Sequence, residues 1–218
     1  MARRSRHTDY HEDLNIWPAF TDLMSNAFMI LMLLLLITST KYATSQIFHK
    51  QTGTPPILLI KDENYRFDLG SAAIPTAMLN YISGKLVPDI EKTTNDFNIN
   101  TVEIIGHTDE QPIGSVTSNL DQNLEAAANS QGSVSTLKAG SNADLGLMRS
   151  LAVVKELLKI QKEQGRMPGI QFRAYSAAQL ILPNGEFAPI PQQKRQSAAT
   201  RRRIEIRFTR LGEVREVK

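Results

Sequence analysis

The stretch LNIWPAFTDLMSNAFMILMLLLLITST, residues 14–40, decides how the chain is built. From Leu23 to Thr40 it has no charged residue, and its middle is almost wholly Leu, Ile, Met and Phe. About 20 apolar residues suffice to cross a bilayer as a helix, so 14–40 reads as a transmembrane helix. One residue does not belong in lipid. Asp22 sits near the N-terminal end, with Ser25 and Asn26 a turn further on. A carboxylate in a membrane helix costs about 2.5–3.5 kcal/mol or more, and such groups usually face other helices or a water path. A cap at headgroup level is one reading of Asp22. A functional ion site is the other, and Trp17 and Pro18 support it by supplying the interface anchor and the helix start ahead of the aspartate.

The flanks give the orientation. Arg3, Arg4 and Arg6 precede the apolar stretch, whereas Lys41 and a run of small polar residues follow it. The positive-inside rule keeps the N-terminus in the cytoplasm and exports the rest. A cleaved signal peptide also starts basic, but its apolar core spans about 7–15 residues, shorter than this one. With 218 residues the chain has room for one anchor and one domain of ordinary size. The formal charge of +3 gives little reason for nucleic-acid binding despite a pI near 9.2. The absence of cysteine excludes disulfides and thiolate metal sites.

Residues 1–13 read as a polar tail and 41–56, ending in Pro55-Pro56, as a linker. A domain is expected over 57–210, with a tail at 211–218. ILLI (57–60) and TVEIIG (101–106) read as strands, and IQFRAY (170–175) and RIEIRF (203–208) alternate like half-buried strands. Helices are expected at about 75–86, from the spacing of Ala77, Met78, Tyr81 and Ile82, and at 144–161, from Leu147, Leu151, Val154 and Leu158. The order strand, helix, strand, helix, strand, strand predicts an α+β domain, a mixed sheet with helices on one face. Residues 110–141, rich in Ser, Asn, Gln, Ala and Gly, break the pattern. They read as a mobile insertion with a short helix at about 118–128, or as a segment ordered only through a dimer or wall contact.

GHTD (106–109) after a strand, NADLGLMRSLAVVKELL (142–158) and RRRIEIRF (201–208) together resemble the OmpA-like peptidoglycan-binding domain, with its GHTD, N-x-x-L-S-x-x-R-A-x-x-V and N-R-R-[VI]-E patterns. The resemblance implies a βαβαββ domain. It also implies that Asp109 and Arg149 bind the ammonium and carboxylate of a diaminopimelate side chain, with Thr108, Asn142 and Leu145 beside them. The chemistry agrees, because arginine holds a carboxylate through two parallel hydrogen bonds. Four positions depart from the pattern: Gly146 for serine, Ser150 for alanine, Arg201 for asparagine, and Ala174-Tyr175-Ser176 for Gly-Tyr-Gly. The bland alternative is a plain ion pair between Asp109 and Arg149.

A second resemblance lies in the helix. Trp17 followed by Asp22-Leu23-Met24-Ser25 is similar to the entrance of the membrane helix of MotB, the flagellar stator protein, and its relatives. It implies that Asp22 carries the ion, a proton or sodium, with Ser25 and Asn26 in support and no cofactor. It further implies a homodimer inside about five MotA-like subunits, set in a bacterial inner membrane with the C-terminal domain in the periplasm. One such helix followed by an OmpA-like domain is the layout of MotB and of ZorB, from the Zorya anti-phage defence system. The short 41–56 connection leans toward ZorB, and MotB stays open. A passive wall tether is the competing function, and it has no use for Asp22.

Other chemistries have less support. His107 and Asp109 lack a further histidine or cysteine nearby for a metal. No G-x-S-x-G occurs for a serine hydrolase. Lys194, Arg195 and Arg201 to Arg203 form a basic segment expected to face anionic wall polymer or solvent.

Overall fold

The computed structural model describes residues 16–61, 65, 67–68, 70–129, 132–212 and 216, with 45–52 as backbone only. The expected tail at 1–13 lies outside these residues, as do Leu14, Asn15 and most of the C-terminal tail. The chain divides into two units, Met1–Lys50 and Gln51–Lys218.

The first unit is helix α1, Trp17–Thr52. Its large side chains from Ile16 to Tyr42 are all exposed. Trp17–Thr44 is long and apolar enough to cross a membrane. The hydroxyls of Thr38, Ser39, Thr40 and Thr44 donate to carbonyls three or four residues back. This satisfies them within the helix. The expected linker is corrected here. Residues 41–52 continue the helix, because the segment up to Thr52 contains no Pro or Gly to stop it. At 1.5 Å per residue the 36-residue helix is about 54 Å long, well beyond the roughly 30 Å hydrocarbon core.

The second unit is built on a four-stranded mixed sheet with helices on one face. Its elements are β1 (Leu58–Lys61), α2 (Thr76–Tyr81), a π-turn (Ile82–Leu86), α3 (Val87–Phe97), β2 (Thr101–His107), α4 (Leu120–Ala128), α5 (Asn142–Gln164), β3 (Gln171–Ala178) and β4 (Arg203–Thr209). The strand order is β1-β4-β2-β3. Strand β4 runs antiparallel to both neighbours, and β2 and β3 are parallel. The helix expected to end near Leu86 runs on to Phe97. Pro88 would clash with a carbonyl four residues back in a regular helix. The wider π-turn just before it absorbs the misfit.

Alternation along the strands sets the core. Val102 and Ile104 of β2, and Ile204, Ile206 and Phe208 of β4, point to one face. There they meet Met78, Ile82, Leu86 and Ile90 from one side and Val153, Val154, Leu157 and Ile160 of α5 from the other. Helix α5 starts with a capping box between Ser141 and Asp144 and ends at Gly165, whose φ of +66° suits glycine.

The insertion is a correction. Residues 119–129 and 132–139 fold onto α5, and α4 forms within them, whereas Pro112 and Gly114 to Ser118 are exposed and irregular. Leu120, Ala127, Val134, Leu137 and Ala139 make a second apolar cluster with Leu145, Met148, Leu151 and Ala152 of α5. The Lys155 ammonium donates to the carbonyls of Ala127 and Gly132 at 2.5 and 2.8 Å. The insertion's apolar anchors are sparse and irregularly spaced, yet sufficient because α5 is apolar on this side too.

Candidate ligand groove

Strand β2 and the first two turns of α5 set the groove. After His107 the chain leaves the sheet. The Thr108 N–H donates to the Ala178 carbonyl at 2.9 Å, which holds Thr108 and Asp109 at the sheet's end. Asn142, Leu145 and Arg149, spaced by three and four, share one face of α5. The Asn142 amide bridges the two parts, donating to the carbonyls of Asp109 and Gln111 at 3.2 and 3.1 Å. All five residues expected from the sequence, Thr108, Asp109, Asn142, Leu145 and Arg149, line one cavity of about 230 Å³. Pro112, Ile113 and Gly114 at the start of the insertion form another wall. The Thr108 hydroxyl is buried and makes no hydrogen bond among the described residues.

The charges are arranged differently from the plain ion pair. The arginine on the Asp109 carboxylate is Arg202, with Nη1 2.7 Å from Oδ2. The same oxygen accepts from the Ala198 N–H at 3.1 Å and the Ser197 hydroxyl at 3.2 Å, and Oδ1 accepts from the Gln111 N–H at 3.2 Å. Burial pushes the Asp109 pKa up. Arg202 and the Ala198, Gln111 and Ser197 donors outweigh it and hold the carboxyl below its usual range. Arg149 is placed by the chain before α2. Its Nε and Nη2 donate to the carbonyls of Ser71 and Asp68 at 3.0 and 3.2 Å, and its guanidinium lies 5.0 Å over the Phe67 ring.

The basic segment is corrected in part. Arg201 pairs with Glu110 at 3.3 Å, and its Nη2 donates to the Gln179 carbonyl. Arg203 donates to the carbonyls of Ile181 and Leu182. These side chains strap the long β3–β4 connection onto the sheet end instead of facing solvent; only Lys194 and Arg195 are exposed. Sequence reading did not assign Arg202 and Ser197 to the groove. No local signal marks them: it is the antiparallel pairing of β2 and β4, with His107 opposite Arg203, that brings Asp109-Glu110 beside Arg201-Arg202.

His107 points to the other sheet face, with Nε2 3.0 Å from Glu205 Oε2 but without hydrogen-bond alignment. Burial, then the Arg203 charge, lowers its pKa to about 4, against the pull of Glu205. In α1, Asp22 lies within the helix, five residues past its first residue, so it is not a cap. The Asn26 amide is 3.5 Å from its Oδ1, the limit of a hydrogen bond. Ser25 lies on the adjoining face.

No family model matches the chain, and no curated protein matches it significantly. Among solved structures, it is similar to a MotB-like protein of Desulfovibrio vulgaris at 15% identity, with 71% of this chain and 75% of that one covered and a TM-score of 0.42. The periplasmic domain of Helicobacter pylori MotB matches at 17% identity, with 73% and 86% covered and a TM-score of 0.43. The type VI secretion cell wall anchor of Pseudomonas aeruginosa matches at 16% identity, with 77% and 94% covered and a TM-score of 0.38. Likenesses this distant stand as observations only, and the fold and groove rest on the chain's own residues.

Proposed function

We propose that this chain is the wall-anchored B subunit of an ion-driven motor in a bacterial inner membrane. The N-terminus is cytoplasmic, and the groove domain grips peptidoglycan in the periplasm. One observation carries the anchoring role: Thr108 and Asp109 converge with Asn142, Leu145 and Arg149, over thirty residues away in sequence, on one cavity. Its donors and apolar wall suit an amino-acid side chain that ends in a carboxylate. Asp22 on a helix otherwise apolar carries the ion role, proton or sodium, with Ser25 and Asn26 in support. A carboxylate there calls for partner helices, which supports two copies of this chain within a ring of MotA- or ZorA-like subunits. Helix α1 ends at Thr52 and β1 begins at Leu58, so little chain separates them. This compact junction favours the ZorB role in Zorya anti-phage defence over the flagellar MotB role.

The anchoring role is tested by pull-down of the purified full chain on peptidoglycan sacculi. Arg149→Ala is expected to lose binding, but it also frees two backbone carbonyls. Thr108→Val is the cleaner variant, because it keeps the shape and breaks no hydrogen bond among the described residues. Both are expected to bind at least about tenfold more weakly. Unchanged binding of two folded variants would assign the groove a structural role only.

A further inference from the structure

We propose that β3 is a docking edge for a second copy of this chain. The two β3 strands pair antiparallel about a two-fold axis at Ala174, with Arg173 of each copy against Tyr175 of the other. The inference goes beyond the motor reading and uses neither the groove nor Asp22, so either can fail without the other.

The two edges of the sheet are built differently. Strand β1 has four residues, follows Pro55-Pro56 and ends in Lys61. Short length, proline and lysine are common means of blocking an edge strand. Strand β3, the other edge, has eight residues, no proline and one charge, Arg173. It packs on β2 and α5, and Gln171, Arg173, Tyr175 and Ser176 are exposed along it. The Gln171 N–H donates to the Asn100 carbonyl at 2.8 Å, so Gln171, Arg173 and Tyr175 turn their backbone groups toward β2. By alternation Phe172, Ala174 and Ser176 turn theirs outward, as a row of donors and acceptors along the open edge.

Ala178, with a φ of +49°, ends the regular strand. Ala174 is the middle of what remains, so pairing about it overlaps the most residues. That register joins Ala174 to Ala174 and Phe172 to Ser176 by backbone hydrogen bonds. It sets Arg173 and Tyr175 in the pairs without such bonds, where side chains approach most closely. Both lie on the sheet face away from the helices, since β2 sets Glu103 opposite Arg173 and Ile105 opposite Tyr175. A guanidinium over an exposed tyrosine ring is an attractive pair. The neighbouring registers that keep both faces set Arg173 against Arg173, like charges directly opposed, or Tyr175 against Tyr175, which leaves the cations without a ring. The chosen pairing makes one continuous sheet with four strands from each copy. It puts the two grooves at opposite ends, so that, under the wall-binding role, one dimer grips two separate peptides.

The experiment uses the full chain, which has no cysteine of its own. Arg173→Cys and Tyr175→Cys chains with different affinity tags are co-expressed, purified together in detergent, oxidised and read on a non-reducing gel. In the proposed register the two introduced cysteines have Cα atoms about 4.5 Å apart, within disulfide reach, and the second Arg173–Tyr175 pair stays intact. Two copies of the same variant place theirs on a diagonal of about 7–8 Å, at or beyond the limit for a disulfide. The mixed disulfide dimer is therefore expected at least about fivefold above the dimer within either variant. Adding Ala174→Pro to both chains removes an outward N–H and no bond to β2, and should lower the mixed dimer about as much. No mixed dimer from chains that unfold normally in urea overturns the proposal. So does Tyr175→Cys alone oxidising as well as the pair, or a mixed dimer that survives in folded Ala174→Pro chains. If that last variant does not fold, the cysteine pair alone decides.

Discussion

Asp22 and Asp109 are both carboxylates at the edge of apolar segments, but the two regions treat them oppositely. Asp109 meets an arginine, a hydroxyl and two backbone N–H groups from its own domain. Asp22 has, among the described residues, one amide at 3.5 Å, on the same helix. The difference follows from what each unit is. A folded domain brings distant residues to one point, so its charges can be settled internally. A lone helix can offer only groups three and four residues away. Under the membrane role proposed above, Asp22 would call for partners outside this chain, whereas Asp109 is already part of a network within its own domain.

The sharpest test of that contrast is Asp22→Asn. It keeps the shape and removes the charge. Because the carboxylate meets, among the described residues, the Asn26 amide at 3.5 Å and an asparagine can accept there too, the variant is expected to fold, reach the membrane and assemble as before. Ion-driven function, phage protection or motility according to the system, is expected to be lost completely. The measurement is function beside membrane abundance in the same cells. A fully active variant would leave Asp22 without a role in ion flow and favour the passive tether.

Asp109→Ala should behave in the reverse manner. It takes the carboxylate from Arg202 and the acceptor from Ser197, Ala198 and Gln111. Removing one partner of a buried ion pair costs about 3–5 kcal/mol, so the urea midpoint of the full chain should fall sharply. A shift below about 1 kcal/mol would place the pair in the class of weak surface bridges and erase the contrast with Asp22.

What was legible in the sequence divides along the same line. Period and length gave the helix, the strands and the faces of α5, because these are local properties. The convergence of Thr108, Asp109, Asn142, Leu145 and Arg149 came from motif resemblance, and the cavity brings all five together. What was missed is non-local. Arg202 looked like one of several solvated bases, and only the β2–β4 register shows that it meets Asp109. The insertion looked mobile because its anchors, Leu120, Val134 and Leu137, have no period; they are ordered by the outer side of α5. Residues 41–52 looked like a linker because their composition is polar, although the helix runs through them.

His107 extends the comparison to a group whose charge the domain refuses. Its pKa is near 4 in the fold, against about 6.5 for an unperturbed histidine. Between those values the unfolded chain binds a proton that the folded one excludes, so stability rises with pH across that window and is lost as pH falls through it. The whole shift corresponds to at most roughly 3 kcal/mol. Asp109, also lowered, adds its own loss further down, as pH falls through the carboxylate range. Thermal melts from pH 7 to pH 4 should show a falling Tm, and His107→Gln should flatten the part of the slope above pH 4.5. A slope identical in the variant would mean that Glu205 offsets burial and the Arg203 charge, so that the His107 pKa does not change on folding.

The smallest expected effect concerns how the groove's two halves touch. Helix α5 crosses β2 where both chains have glycine. A Cβ on Gly106 would lie 2.0 Å from the Gly146 carbonyl oxygen, and one on Gly146 would lie 2.3 Å from the Ser176 hydroxyl. The OmpA-like pattern has serine where this chain has Gly146 and glycine where it has Ser176. In this chain the Ser176 hydroxymethyl group fills the space where a side chain on Gly146 would stand, so the two departures concern one site. Gly146→Ser alone should overpack the crossing and cost about 1–3 kcal/mol. It should also push Leu145 and Arg149 off the cavity and weaken sacculus binding. Ser176→Gly alone should cost less, through the hydroxyl's 3.2 Å bond from the Ala178 N–H and the flexibility of glycine. In the double variant Ser176 no longer blocks the new side chain, while the Gly106 carbonyl, 2.9 Å from the added Cβ, stays close. The pair should thus be less destabilised than the sum of the singles, by roughly 0.5–3 kcal/mol of coupling. Additive losses in urea unfolding would show that the two positions do not share this space, and that the departures from the pattern are independent.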